Sequence, residues 1–446
     1  MNWPRIHSLP YLADARAYFE CIRDLPLPVW LDSGRPMLGS GRYDILVADP
    51  VESLRLDAHQ AGSAIPRLRA LLGNRSQACH PSLPFCGGLV GYLGYELGRA
   101  WQGAALRGGA RMAPDLYAGL YDWALVVDHH RQTATLAGMG RAQATRDHWS
   151  SLVARFDAPP RTPVQQAQGE LLDTGLTREA YAAAFARIQH YIREGDIYQV
   201  NFTRRFHAHS RTDPWSLYQC LRNLSPAPYG AYLDLGDHQV LSNSPEQFLG
   251  LQQGRVQTRP IKGTRPRGAT PPEDVRLRAD LASSGKDRAE NLMIVDLLRN
   301  DLGRVCEPGT IEVPELFAIE SYATVHHLVS TVAGHLRADC DALDLLCACF
   351  PGGSITGAPK RRAMQIIDEL EAHGRELYCG SIFRLGYDGN LDSSISIRTL
   401  LRRGDQLYYW AGGGIVADSV NEAEYQESLD KAAAFFRLLG VAAPGA

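Results

Sequence analysis

Short β-prone runs that alternate with amphipathic helices extend over most of this sequence, and they limit it to a mixed α/β fold. The apolar runs at 43–50 and 120–128 end at turn residues, as strands commonly do. Between Thr177 and Gly195, apolar residues recur with helical spacing, and these two residues can cap and end a helix. The other predicted elements are strands at 197–203, 391–400 and 406–411 and helices near 285–302, 360–372 and 419–439.

A stretch rich in proline and glutamine interrupts this pattern between residues 156 and 176 and predicts a domain boundary. We expect an N-terminal domain over 1–157 and a second domain over 172–446. A chain of 446 residues is long enough to bury a large core in two such units.

The charge balance argues against two classes of partner. Lys and Arg total 46 and Asp and Glu total 49, so no strong field attracts nucleic acid or an anionic membrane surface. The N-terminus lacks the apolar core of a signal peptide, and no run approaches the roughly 18 consecutive apolar residues of a membrane span. The nine cysteines are scattered, as in proteins whose thiols stay reduced. We therefore expect a cytoplasmic protein that acts on a small molecule.

Two predicted helices place acids where a divalent cation could bind. Asp287 and Glu290 are spaced i, i+3 on a helix that continues almost entirely apolar. In the last helix, Glu424, Glu427 and Lys431 follow one stripe beside an apolar one. A few carboxylates, with waters and an anionic substrate, suit magnesium. The same spacing also fits a solvated face with salt bridges.

Glycine-rich runs at 350–359 and 411–416 each precede a helix, where backbone N–H groups can bind a carboxylate or phosphate. A plain tight turn explains each run equally well. Ser419 and Glu422 have the spacing of a capping box at the start of the last helix.

Several single residues could carry chemistry. Lys262 lies between an isoleucine and a glycine, where burial could lower its pKa and make it a nucleophile, although a solvated lysine also fits. Glu246 is a turn residue if exposed and a general acid if buried. His326 and His327 are adjacent, so in a strand at most one should reach a site. Gln199 lies on the polar face of the strand predicted at 197–203.

Six segments occur in a fixed order, YQVN at 198–201, PIKGT at 260–264, DRAEN at 287–291, PGGSITGAPK at 351–360, IRT at 397–399 and GGGIVAD at 412–418. Together they resemble the chorismate-utilising enzymes, the family of anthranilate, aminodeoxychorismate, isochorismate and salicylate synthases. The resemblance covers nearly the whole chain and is densest from residue 195 to 431. It implies an α/β fold of the α+β type, a layered α-β-β-α sandwich of two mainly antiparallel sheets with outer helices, as in anthranilate synthase component I.

The resemblance also implies a site for chorismate. Glu290 and Glu427 would bind Mg²⁺, with Asp287 and Glu424 in support, and the ion would hold a substrate carboxylate. Lys262 and Glu246 would be the catalytic nucleophile and acid. The implied substrate-binding residues are Gln199, Gly263, His327, Ser354, Tyr378, Arg398, Gly413, Gly414 and Lys431.

Two positions imply which reaction is catalysed. Relatives that add water have a lysine where this chain has Gln199, and anthranilate synthases have an alanine where it has Lys262. The resemblance therefore implies amination at C4, which gives 4-amino-4-deoxychorismate for p-aminobenzoate and folate. Lys262 would add to C2 while Glu246 protonates the departing 4-hydroxyl, and ammonia would then add at C4 and expel the lysine. An anthranilate synthase component I is the alternative, and a non-catalytic binding subunit would not need this set of residues.

Partners follow from the same resemblance. No cysteine lies in the Gly-x-Cys-x-Gly elbow of a glutaminase, so a separate glutamine amidotransferase subunit, component II, is expected to supply the ammonia. The N-terminal domain of the family contains a tryptophan pocket, for which Ser33, Pro226 and Tyr229 are the candidates. The implied reaction needs no nicotinamide, flavin or pyridoxal cofactor.

Overall fold

Two antiparallel β-sheets form the middle of the molecule. The computed structural model describes residues 3–38, 41–74, 80, 82–106, 111–160, 164–322 and 325–444. In this part of the chain one sheet has twelve strands and the other has ten.

Strands and helices are interspersed along the whole chain. The strands are β1 Arg5–Leu9, β2 Val29–Asp32, β3 Tyr43–Val47, β4 Glu52–Leu56, β5 Gly88–Leu93, β6 Leu116–Tyr121, β7 Trp123–Asp128, β8 Thr133–Gly138, β9 Glu170–Asp173, β10 Gln199–His209, β11 Tyr229–Asp234, β12 Gln239–Ser244, β13 Gln247–Gln252, β14 Arg255–Thr258, β15 Ile261–Pro266, β16 Glu312–Ser321, β17 Val325–His335, β18 Gly357–Ala358, β19 Ser381–Gly386, β20 Leu391–Ile395, β21 Thr399–Arg403 and β22 Gln406–Ile415. The helices are α1 Arg16–Glu20, α2 Ala61–Leu72, α3 Tyr95–Trp101, α4 Gln143–Ala154, α5 Arg178–Arg193, α6 Pro214–Leu224, α7 Pro271–Ser283, α8 Gly285–Gly303, α9 Ala342–Cys349, α10 Lys360–Leu370 and α11 Asn421–Leu439.

Each sheet is built from both sides of the predicted domain boundary. The first sheet has the order β1-β8-β7-β3-β2-β11-β12-β21-β22-β10-β18, with β9 beside β10, and the second has β15-β17-β14-β13-β20-β19-β5-β6-β4, with β16 beside β17. N-terminal strands meet C-terminal ones where β2 pairs with β11 and β5 pairs with β19. The two halves thus share their sheets, and the boundary between 157 and 172 stays a prediction.

Two apolar cores explain the layers. Side chains alternate along a strand, so Val29 of β2 enters a core shared with the second sheet, including Leu89 and Leu249, whereas its neighbour Trp30 enters a second core. That second core packs α5, α6, α10 and α11 on the outer face of the first sheet, whereas α2, α8 and α9 pack on the second sheet. The predicted α-β-β-α sandwich is confirmed.

Among the predictions for single elements, one helix cap is confirmed, whereas a capping box and the length of a strand are wrong. The hydroxyl of Thr177 caps α5 by accepting from the backbone N of Ala180 (3.2 Å), as predicted. The capping box at the start of α11 is wrong, because the Ser419 hydroxyl donates to Glu424 (2.7 Å) and Glu422 pairs with an arginine of α5. The strand predicted over 391–400 is broken into β20 and β21.

The cysteines depart from expectation at one position. Cys86 is disulfide-bonded, so the prediction of reduced thiols is wrong there, while seven other described cysteines are free. Among the helices of the described chain, none has the length and apolar character needed to cross a membrane.

Candidate active site

Two segments that cross from one sheet to the other carry charged residues between the layers. The chain passes from β12 to β13 through Glu246 and returns from β20 to β21 through 396–398. The crossings bond to each other, since Asn243 N donates to Arg398 O and Ile395 N donates to Glu246 O (both 3.1 Å). Arg398 has a φ of +50°, which non-glycine residues rarely adopt and which is found at functional sites.

A single residue bridges Lys262 and Glu246. The Nζ of Lys262, in β15, donates a hydrogen bond to the carbonyl of Ser354 (3.2 Å). The Ser354 hydroxyl donates to Oε1 of Glu246 (3.1 Å). Ser354 lies in a 3-10 turn, Gly353–Ile355, and is 7% exposed, while Glu246 is 5% exposed. The predicted nucleophile and the predicted acid therefore belong to one contact network.

Burial moves the pKa values of these two groups toward each other. It raises the pKa of Glu246 to about 6, although the positive charge of Lys262 opposes the rise. It lowers the pKa of Lys262 below its usual value, against the attraction of Glu290 and Glu246. Such shifts are typical of groups that transfer protons or act as nucleophiles.

The two adjacent histidines separate as strand alternation predicts. His327 is buried, with its Nδ1 2.9 Å from the hydroxyl of Thr264 in β15. Burial and the positive charge of Arg398 lower the pKa of His327 to about 4, so its imidazole is neutral near pH 7. His326 instead contacts Asp274 of α7 through Nε2 (3.0 Å).

Glycines leave space at three predicted positions. Gly263 has a φ of +85°, a conformation that favours glycine, and its backbone bonds to His327. Gly413 and Gly414 lie within β22 and pair with β10, so the tight-turn alternative is wrong for this run. A Cβ at Gly413 would lie 3.2 Å from a carboxylate oxygen of Glu427, and one at Gly414 would collide with the side-chain amide of Gln199 in β10.

Tyr378 and Gln199 are buried beside these glycines. Tyr378 stacks on Trp410 of β22, with ring centroids 6.2 Å apart and an interplanar angle of 10°. Gln199 is 1% exposed, and its amide oxygen has no hydrogen-bond partner within the described ranges. Asn201, on the same face of β10, donates from its amide to the carbonyl of Ile355 (3.2 Å). An unpaired buried acceptor such as that of Gln199 is unusual and is available to a ligand.

Lysines contact two acids of α11. Lys431 Nζ lies 2.6 Å from Glu427 and donates to a backbone carbonyl of β22 (2.9 Å), and Lys286 Nζ lies 3.7 Å from Glu424. Burial raises the pKa of Glu290 and of Glu424. The Glu427 side chain is 47% exposed, and although its partial burial opposes ionisation, Lys431 holds its pKa below the usual value. Glu290 and Glu424 therefore lack full compensation of their negative charge.

This donor set fits magnesium in its chemistry. Among the described residues, no three His, Cys, Asp or Glu side chains lie close enough to hold a metal by themselves. Magnesium commonly uses one or two carboxylates beside waters and an anionic substrate, which Glu290 and Glu427 can supply. Asp287 instead pairs with Arg265 (3.1 Å), so the four predicted acids do not form one ligand cluster.

A separate cavity of about 610 Å³ has two of the three predicted tryptophan-pocket residues in its wall, Ser33 and Tyr229. The Ser33 hydroxyl is buried and has no hydrogen-bond partner in the parts of the chain that the structure describes. Pro228, and not Pro226, lines this cavity. Its volume is in the range of sites that enclose a small molecule.

Sequence reasoning missed a buried ion pair next to the turn that carries Ser354. Arg375 and Glu371 are 1% and 6% exposed, and two hydrogen bonds of 2.6 and 2.9 Å join them. Arg375 also donates to the carbonyl of Ile355 (2.8 Å), and Glu371 accepts from the hydroxyl of Thr203 (2.8 Å). The only signal in the sequence is the i, i+4 spacing of opposite charges, which is common on exposed helices.

Comparisons with known proteins agree with this architecture. Residues 29–437, which contain every residue assigned to the site, match the family described as chorismate binding enzyme. The chain is 46% identical to aminodeoxychorismate synthase component 1 of Klebsiella aerogenes, over 96% of this chain and 97% of that protein. It is 42% identical to the protein of the same name from Escherichia coli, over 96% and 97%.

A solved structure supports the same grouping. The crystal structure of anthranilate synthase component I from Streptococcus pneumoniae is similar, with a TM-score of 0.78 and 30% identity over 88% of this chain and 92% of that one. Since the family match spans most of the chain and the relatives match 96% of it, the chain belongs to the chorismate-binding enzyme family.

Proposed function

We propose that this chain acts as component 1 of an aminodeoxychorismate synthase, a cytoplasmic enzyme that aminates chorismate at C4 with magnesium and makes 4-amino-4-deoxychorismate for p-aminobenzoate and folate. The observation that carries the proposal is the bridge through Ser354, which holds the amine of Lys262 and the carboxyl group of Glu246 on two sides of one small residue. The names of the Klebsiella aerogenes and Escherichia coli relatives support this choice of product.

In the proposed reaction, the neutral amine of Lys262 forms a bond to C2 of chorismate. The electron pairs of the ring double bonds shift, the C4–O bond breaks, and Glu246 gives its proton to the hydroxyl, which leaves as water. Ammonia then bonds to C4, the double bonds shift back, and the C2–N bond breaks with its electron pair, which restores the neutral amine of Lys262. The proton that the new amino group loses returns to Glu246.

The two carboxylates of chorismate need positive partners. When bound, magnesium would offset the charge of one of them, and Glu290 and Glu427 would hold the ion. Arg398, with Tyr378 and the backbone at Gly413, would receive the enolpyruvyl carboxylate through charge-assisted hydrogen bonds. A neutral His327 can accept or donate a hydrogen bond without adding charge.

Two further partners belong to this proposal. Ammonia comes from a separate glutamine amidotransferase subunit, and the words "component 1" in the relatives' names support a second component. Tryptophan occupies the cavity lined by Ser33 and Tyr229, which is large enough for it.

The test is to incubate the purified chain with chorismate, magnesium and ammonium and to identify the product by mass. We expect 4-amino-4-deoxychorismate, whereas fluorescent anthranilate would favour the alternative. Lys262→Ala should abolish the product. Lys286→Ala is the matched control, because Lys286 is 54% exposed and lies near Glu424. Equal losses in the two variants would contradict the role proposed for Lys262.

A further inference from the structure

The position of Ser354 sets the geometry of the proposed reaction, because its carbonyl receives Lys262 and its hydroxyl contacts Glu246. A 3-10 turn of three residues cannot fix itself, since it makes few hydrogen bonds of its own. What holds this turn therefore decides how far the amine lies from the acid.

The guanidinium of Arg375 holds the turn immediately after Ser354. Its Nη1 donates to the carbonyl of Ile355 (2.8 Å), and its Nη2 donates to the carbonyl of Asn201 in β10 (2.6 Å). The side-chain amide of Asn201 donates to the same Ile355 carbonyl (3.2 Å). Glu371 aligns the guanidinium from its other edge, through two hydrogen bonds. One buried cation thus ties the turn to the first sheet.

We propose that Arg375 is a positioning residue, whose buried guanidinium fixes the Ile355 carbonyl and thereby sets the separation of Lys262 from Glu246. The inference rests on the proposed function, which gives these two groups their roles. Adjacent peptide planes share one Cα and are rigid, so a shift of the Ile355 carbonyl also moves the carbonyl of Ser354.

Arginine is needed at this position because of its shape. A planar guanidinium presents five N–H donors in a fixed fork, so Arg375 can bind Glu371 and two carbonyls at once. A lysine keeps the charge but has a single flexible ammonium group. Arg375→Lys therefore retains a buried cation beside Glu371 while it loosens the Ile355 carbonyl.

The matched control is Arg99→Lys, the same substitution in another buried ion pair. Arg99 is 3% exposed and lies 3.0 Å from both Glu96 and Asp368. No hydrogen bond in the described chain joins it to the turn at Ser354. For Arg375→Lys, kcat should fall about tenfold, as expected for one lost hydrogen bond, with little change in KM. Arg99→Lys should leave both values near those of the wild type.

The pH profile separates positioning from a structural defect. If the turn moves, Glu246 loses the hydrogen bond from Ser354 that favours its ionised form. The acid limb of kcat/KM, expected near pH 6 in the wild type, should then shift upward by about one pH unit in Arg375→Lys. A change that only lowered stability would leave this limb in place.

A double-mutant cycle completes the test. Ser354→Ala removes the hydroxyl that contacts Glu246 and keeps the carbonyl that receives Lys262, so adding Arg375→Lys to it should not move the acid limb of kcat/KM further. A further shift of that limb in the double variant, or a wild-type kcat and pH profile in Arg375→Lys, would overturn the inference. If Arg375→Lys does not fold, Arg375→Met with Glu371→Met removes both charges of the pair and should show the same catalytic loss. A wild-type chain that forms no aminated product would instead refute the proposed function.

Discussion

Replacing Glu246 by glutamine tests the proposed acid with little change of shape. Glutamine has the same size, and its amide oxygen can still accept the Ser354 hydroxyl, which lies 3.1 Å from Glu246. The variant therefore keeps the contact network and loses only the transferable proton. A positioned general acid contributes about 10²- to 10⁴-fold, so kcat should fall by about that factor.

The pKa values predict how activity depends on pH. The productive form carries a proton on Glu246 and none on Lys262, whereas the competing form has that proton on the lysine. The rise in the pKa of Glu246 from 4.5 to about 6 raises the ratio of the productive form to the competing form about thirtyfold, or by about 2 kcal/mol. The lowered pKa of Lys262 enlarges it further.

The direction in which activity changes with pH follows from the balance between these two protonated forms. Between the two pKa values the pair holds one proton, so kcat/KM of the wild type should be level, and below about pH 6 it should fall as the pair takes up a second proton. In Glu246→Gln, only deprotonation of Lys262 remains, so the residual activity should rise with pH as Lys262 loses its proton. Rates are measured by mass-detected product at a constant concentration of free ammonia.

Glu376→Gln is the control for loss of a buried acid. Glu376 is 7% exposed, and burial raises its pKa to about 7, yet it lies beside Arg111 and not beside Lys262. This variant should keep the wild-type rate. If Glu246→Gln retained activity within about threefold, or kept the level profile of the wild type, Glu246 could not be the acid.

Three other outcomes follow from the same site, and a fourth concerns the buried acid Glu376. With chorismate and magnesium but no ammonia, a covalent adduct should accumulate on the peptide that contains Lys262 and on no other, and an adduct elsewhere would exclude this nucleophile. Glu290→Gln should weaken magnesium binding in calorimetry at least about tenfold, and full activity of the wild type in EDTA would contradict a metal role. Gln199→Lys should not increase amination, and isochorismate formed by the wild type without ammonia would contradict our interpretation of this position. Because burial raises the pKa of Glu376, its protonated form stabilises the fold at low pH, and this stability is lost as pH rises from 4.5 through about 7. Glu376→Gln should therefore increase the free energy of unfolding by on the order of 3 kcal/mol at pH 8, seen as a higher Tm, and not at pH 5. An equal gain at both pH values would contradict this prediction.

Local signals in the sequence were sufficient where both partners of an interaction lie within one turn. The start of α5 was predicted correctly because Thr177 caps a backbone group three residues away. The same logic failed for α11, since Ser419 and Glu422 have better partners in the folded protein, an acid of the next turn and an arginine of α5. Capping patterns compete with tertiary contacts that no local pattern reveals.

In the candidate site too, the sequence revealed some residues, whereas others became evident only from tertiary contacts. Family motifs pointed to Lys262, Glu246 and Ser354, and the structure places these three in contact. The pair of Arg375 and Glu371 lies outside every motif, and the role proposed for Arg375 rests on its contacts with β10 and with the turn at 353–355. The resemblance implied that Asp287 and Glu424 support the two metal-binding glutamates, but no motif shows that Asp287 has an arginine partner.

The topology explains why an acid and an arginine lie between two apolar sheets. Buried charges are costly unless they have partners, and a strand confined to one sheet would place Glu246 either in the core or in water. Where the chain crosses between sheets, its backbone leaves the hydrogen bonds of one sheet before it joins those of the other. Backbone N–H and C=O groups without a strand partner therefore occur there, together with side chains that lie on neither sheet. The two crossings satisfy these groups through each other, by the hydrogen bonds from Asn243 to Arg398 and from Ile395 to Glu246. The same position, buried between the sheets, brings Glu246 to the site and raises its pKa.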